Sequence, residues 1–183
     1  MAFIVTYDAN ALAGNTQRDF LVRIGQTGLV QAKWTDQILD EMTAAVQKSR
    51  PEGAAEKLAR LRVLMLAALP DALVTGHESL IGGLQMRDPD DRHVLAAAIK
   101  SGSQVIVTAA KDFASADLTA WNIEAKHPDD FVLDQIGIND RLIWGCVQQI
   151  ADSRKGRPET VDDVLTQLER SGLVRSAAAL RTG

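Results

Sequence analysis

A chain of 183 residues with 46% hydrophobic and 24% charged residues holds enough apolar material for one full core with some length to spare, which excludes a disordered polyelectrolyte. Its single cysteine, Cys146, excludes an internal disulfide and a cysteine-based zinc site and fits a reducing compartment. The formal net charge of −4 excludes a protein that holds nucleic acid by bulk positive charge, so any such affinity has to be local.

No apolar run approaches the roughly 18 residues needed to cross a bilayer. The opening residues lack the basic stretch and long apolar segment of a signal peptide. The expectation is a cytoplasmic protein with no membrane contact.

The first element is a short apolar strand over Phe3–Tyr7, ending at Asp8. Asn15–Gln26 carries Phe20, Leu21 and Ile24 at helical spacing, closed by Gly25 and Gly28. A short strand follows over 29–33. Asp36–Ser49 is helical, with Ile38, Leu39, Met42, Ala45 and Val46 on one face. The segment Pro51-Glu52-Gly53 breaks the chain before a third amphipathic helix over 54–69. Strands are expected at 72–75, 104–108 and 121–125, and a helix opened by Asp88-Pro89-Asp90-Asp91 runs to Lys100 with Gly102 as its stop. Strand and helix alternate with short connections, which gives an α/β domain with a mostly parallel sheet over 1–127.

After Pro128 only helices are expected, over 129–136, 140–152 and 160–171, forming a helical extension over 128–183. Leu142, Ile143, Val164, Leu165 and Leu168 give it apolar surface to pack on the domain or on a partner. The three tryptophans, Trp34, Trp121 and Trp144, read as packing residues.

The chemistry is carried by acids. Asp8 directly follows a strand, Asp112 lies just beyond a second, and Asp91 stands in the first turn of a helix. In open α/β sheets, sites form at the carboxyl ends of strands. Clustered carboxylates repel and raise one another's pKa unless cations lie between them, and hard divalent ions prefer such oxygen ligands. Helix geometry separates Glu41 from Asp40: at about 100° per residue Asp40 falls opposite the apolar face, whereas Glu41 falls at its border and reaches an inner cleft. Residues 1–127 hold 13 Lys and Arg against 15 Asp and Glu, four of the latter being these candidates. Asp8, Glu41, Asp91 and Asp112 are therefore the candidate metal ligands.

Asn10 and Thr108 are placed to orient a ligand or a water by hydrogen bonding. Asp88 either shapes the loop before the helix or meets a metal through water. His93, with no partner at a recognisable spacing, reads as a surface histidine. There is no Gly-rich GK[ST] loop, no HExxH and no GxSxG elbow. Asn10 stands where an aspartyl-nucleophile phosphatase needs a second Asp, and Tyr7 interrupts the acidic pair of a receiver domain.

Tyr7-Asp8-Ala9-Asn10-Ala11-Leu12 resembles the Asp-x-Asn opening of PIN-domain proteins. The run from Asp88 to Ile99 resembles that family's third acidic block, and Thr35 to Met42 the segment that bears its helix glutamate. Val105-Ile106-Val107-Thr108 followed by Lys111-Asp112-Phe113 resembles the strand and Asp-Phe block that closes its site. Order and spacing agree over residues 3–113, and the chain is similar to the VapC-like toxins of bacterial toxin–antitoxin pairs. The tail over 158–181 resembles an extension found in one branch of them.

The resemblance implies a three-layer α/β/α fold. It also implies an endoribonuclease dependent on Mg²⁺ or Mn²⁺, products with 3′-hydroxyl and 5′-phosphate ends, RNA as substrate and an antitoxin as partner. The assembly state, a homodimer included, is left open. Ala110 stands where many relatives carry Asp or Asn, so the fourth ligand is Asp112, a water, or absent. A silent PIN-like binding module and a housekeeping RNA-processing nuclease are the alternatives.

Overall fold

The computed structural model describes residues 2–49, 54–111, 113, 115–156 and 159–183. The break expected at Pro51-Glu52-Gly53 and the candidate ligand Asp112 both lie outside them. In chain order the elements are β1 (Phe3–Tyr7), α1 (Ala9–Leu12), α2 (Asn15–Gln26), β2 (Val30–Lys33), α3 (Asp36–Ser49) and α4 (Ala54–Ala68). They continue with α5 (Glu78–Ile81), α6 (Arg92–Ser101), β3 (Val105–Val107), α7 (Ser115–Thr119) and β4 (Glu124–Lys126). The chain ends in α8 (Pro128–Ser153), α9 (Val161–Arg170) and α10 (Val174–Thr182).

The four strands form one parallel sheet in the order β2-β1-β3-β4. Parallel strands need a crossover between them, and helices supply each one. Successive residues of β1 face opposite ways, and their partners name the two covering layers. The Tyr7 hydroxyl donates to the Leu21 carbonyl of α2 at 3.1 Å, and its ring meets Phe131 of α8 edge-on with centroids 5.9 Å apart. Thr6 points the other way, its hydroxyl 2.8 Å from that of Ser103 just past α6. The α/β/α sandwich is thus set by alternation along one apolar strand. Gly25 lets α2 lie close to the sheet, since a Cβ there would stand 3.0 Å from a Leu69 methyl and 3.3 Å from Ala32 Cβ.

Two expected strands differ. Residues 72–75 contribute only a single parallel bridge, Leu73 to Trp34, because the Pro70-Asp71 turn and Gly76 at φ 73° leave too little extended chain. The strand expected at 121–125 starts later, at Glu124, because Trp121–Ile123 finish α7. Their amides return to Leu118 and Thr119, with Asn122 in the left-handed conformation at φ 55°. Trp121 and Trp144 are also exposed rather than packed; only Trp34 of the three tryptophans is buried.

In the tail, α8 is interrupted at Asn139 (φ −157°, ψ 89°), whose side chain accepts from the Leu142 amide at 3.1 Å and so caps a new helical start. The two helices expected on either side of 137–139 correspond to its halves. Thr160 and Asp163 form a reciprocal capping box at the head of α9. Ile143, Val164, Leu165 and Leu168 are buried within this chain, whereas Leu142 is exposed. The tail is seated on α2: Thr16 donates to Gln167 at 2.6 Å, and Arg23 to Gln149 at 3.2 Å. No helix among the described residues is long and apolar enough to cross a membrane.

The helices expected after Pro128 stop at residue 171, and no local capping signal announces the start of α10. Leu173 at its N-cap makes no side-chain cap. The cap comes from Asp129 at the head of α8, which accepts from the amides of Arg175 at 3.0 Å and Ser176 at 2.8 Å and from the Ser176 hydroxyl at 2.6 Å. Burial pushes the Asp129 carboxyl up, but Ser176, the two amides and the Arg175 charge together hold it below the ordinary range. A depressed folded pKa contributes stability above the unfolded value and loses it as pH falls through the folded one. Asp129→Ala should cost on the order of 2 kcal/mol and release α10. The check is amide hydrogen exchange at 174–182, and Asp129→Asn should weaken the acid-side loss of stability seen for the wild type.

Candidate active site

The strand order reverses between β1 and β3, the place where an open parallel sheet leaves a crevice at its carboxyl edge. Tyr7 pairs with Val107 there, so the next residues, Asp8 and Thr108, are brought side by side. Asp8 is buried. Its Oδ1 accepts from the Ala9 amide at 2.7 Å, which caps α1. Its Oδ2 accepts from Asn10 Nδ2 at 2.7 Å and from the Thr108 hydroxyl at 2.8 Å.

A threonine hydroxyl has one proton to give. Committed to Asp8, Thr108 Oγ1 accepts from Asn10 Nδ2 at 3.1 Å and from the Ala110 amide at 3.1 Å. Asn10 Oδ1 takes the Ala109 amide at 2.8 Å. Asn10 and Thr108 thus lock the carboxylate from two sides. Burial nevertheless holds the Asp8 carboxyl above its ordinary pKa, against the opposing pull of Thr108, Ala9, His93 and Asn10. A buried acid that is costly to ionise is one that a cation would relieve.

His93, expected on the surface, is only 4% exposed and belongs to this cluster. It lies in the first turn of α6 with Nε2 at 3.0 Å from Glu41 Oε1. Burial lowers its pKa, Glu41 and Asp8 pull it up, and the buried His77 nearby pushes it down further. The partner of His93 lies 52 residues earlier in sequence, so no local spacing could announce it. The signal that could have was the helix itself, since the run His93–Ala98 has no polar face and a helix apolar all round is enclosed.

Glu41 and its neighbour Asp40 sit differently on α3. The Glu41 side chain, 44% exposed, turns to His93, with Gln37 Nε2 donating to it at 3.3 Å. The Asp40 side chain, 70% exposed, pairs with Arg62 of α4, as does Asp36. Asp88 caps the short 3₁₀ turn Pro89–Asp91 by accepting from the Asp90 amide at 2.9 Å. Asp91 then stands at the N-cap position of α6 with helical dihedrals and no capping bond from its side chain.

The structure thus joins Asp8, Asn10 and Thr108 in one hydrogen-bonded network and Glu41 with His93 in a second pair, whose imidazole feels the Asp8 charge. Asp91 approaches the pair through the chain, at the head of the helix whose first turn carries His93. Among the described residues no three His, Cys, Asp or Glu side chains stand as a ready metal-binding group. The donor chemistry nonetheless fits a hard divalent ion: carboxylate oxygens, one of them buried and reluctant to ionise without a cation. Cys146 takes no part, its buried thiol being pushed up to about 11 by desolvation.

Comparison with known proteins adds two family matches and one relative. Residues 128–182 match the VapC50 C-terminal domain. A protein of Mycobacterium tuberculosis described as "Putative ribonuclease VapC50" is 35% identical over 101 residues, which is 55% of this chain. The matched region spans 59% of that relative's length. No solved structure matches the chain. Residues 4–112, well over half the chain, match the PIN domain, with Asp8, Glu41 and Asp91 inside the matched stretch: the chain belongs to the PIN-domain family.

Proposed function

We propose that this chain is a divalent-metal-dependent endoribonuclease that hydrolyses RNA phosphodiester bonds, and that it is the toxin of a toxin–antitoxin pair acting in the cytoplasm. The observation that carries the reading is the buried Asp8 carboxylate at the β1–β3 crevice, fixed by Asn10 and Thr108. In this reading residues 1–127 are the nuclease and 128–183 its helical extension.

Asp8, Glu41, Asp91 and Asp112 would hold Mg²⁺ or Mn²⁺, which when bound would activate water and offset charge on the scissile phosphate. Asn10 and Thr108 fix the Asp8 carboxylate in place, and Asp88 shapes the turn that presents Asp91. Ala110 offers no ligand and gives its amide to Thr108, which favours one second reading, a PIN-like module that binds without cutting.

Incubating the purified chain with structured RNAs separates the two. Cleavage is expected with Mg²⁺ or Mn²⁺ and none with EDTA. RNA that stays intact with both ions would leave the binding module. Growth arrest on expressing the chain alone, relieved by its neighbouring gene product and by Asp8→Asn, is expected of a toxin. Harmless expression of an active nuclease would favour RNA processing instead.

A further inference from the structure

Glu41 is the most exposed acid of the cluster that has a fixed partner, and a glutamate on an exposed helix face otherwise samples many rotamers at an entropic cost to anything that binds it. The partner that limits it is His93. The 3.0 Å contact between Nε2 and a carboxylate oxygen, which can only accept, places a proton on Nε2. Nδ1 is buried and has no hydrogen-bond partner among the described residues. An unmatched buried polar atom is a liability in folding, and the residues that follow in α6, Val94 to Ala98, are apolar and buried. An apolar side chain at position 93 would pack without that liability, so the imidazole is accounted for by what its other nitrogen, Nε2, holds.

We infer that His93 is a positioning residue: its Nε2–H holds the Glu41 carboxylate in place before any divalent cation arrives. The inference rests on the proposed reading of the site as a divalent-cation centre. Glu41 is then a preorganised ligand, and part of the ordering needed for cation binding is complete in the folded protein. The device resembles the outer hydrogen bonds that orient metal ligands elsewhere, with the imidazole holding a carboxylate.

Calorimetric titration of the full chain with Mn²⁺ tests it. His93→Leu should weaken Mn²⁺ binding by about 10-fold or more, and melting should show the variant folded at least as stably as the wild type. His93→Gln, whose amide N–H reaches about as far as Nε2, should recover most of the affinity. In a Glu41→Gln background, His93→Leu should add little, since the two act through one contact. Nitrogen-15 spectra of the metal-free wild type give a readout that needs no variant, and should show the His93 proton on Nε2. An Nε2 without its proton, wild-type Mn²⁺ affinity in His93→Leu, or additive losses in the double variant would overturn the inference while leaving the cation site standing. A wild type that binds no Mn²⁺ would remove the proposed function and this inference together.

Discussion

Asp8→Asn and Asp91→Asn are each expected to lower RNA cleavage by on the order of 100-fold or more, the scale on which losing one fixed group from a preorganised charged site acts. The two should differ in stability. At Asp8 the folded pKa is raised, so stability is greatest where the acid is protonated and falls as pH rises through the folded value. Removing the charge relieves that cost at neutral pH. Three donors aim at Asp8, however, from Ala9, Asn10 and Thr108, and an asparagine amide must oppose one of them. The two effects offset, and the net change should stay within about 1 kcal/mol. Melting in EDTA measures it. Adding Mn²⁺ should then raise the wild-type midpoint by mass action and leave Asp8→Asn unmoved. Wild-type cleavage by both variants at saturating Mn²⁺ would show that the acids at this crevice are not the site.

The second large effect separates two adjacent residues. Glu41→Gln should reduce cleavage about 10- to 100-fold, because it keeps an acceptor for His93 but removes a charged oxygen from the site. Asp40→Asn should leave the rate near that of the wild type. Asp40 lies against Arg62 with its side chain 70% exposed, and such surface pairs contribute about 1 kcal/mol at most. Parallel rate measurements on the two variants decide it, since equal effects would mean that the face of α3 has been assigned the wrong way round.

Legibility in the sequence followed how local each determinant was. Residues 15–26 and 36–49 announce their helices by apolar spacing, and the structure has the same bounds. The parallel sheet and the alternation of elements could be read from short β-branched runs. What was missed depends on contacts across space. The helix α10 is capped by Asp129, whose partners lie 46 and 47 residues away. His93 meets Glu41 across two elements, and the exposure of Trp121 follows from the turn that ends α7. A tryptophan's hydrophobicity predicts burial on average, but it cannot report where a neighbouring helix will stop. Asp8, at the end of the first strand, was legible because strand end and sheet crevice coincide. The hydrogen bonds that hold it, from residues 2 and 100 positions on, were legible only as candidates.

The first strand is also the middle of the sheet, and one of its two neighbours, β3, is made a hundred residues later, with Val5 facing Val105. Contacts that close so long a loop are entropically late and slow a protein's folding. During synthesis Asp8 emerges well before Thr108 can stand beside it, and α6, which brings His93 and Asp91, arrives only shortly before β3. A nascent chain shorter than that therefore carries the acid without its crevice. If the chain is the ribonuclease proposed above, topology alone supplies a period of silence that ends only when β3 has joined the sheet.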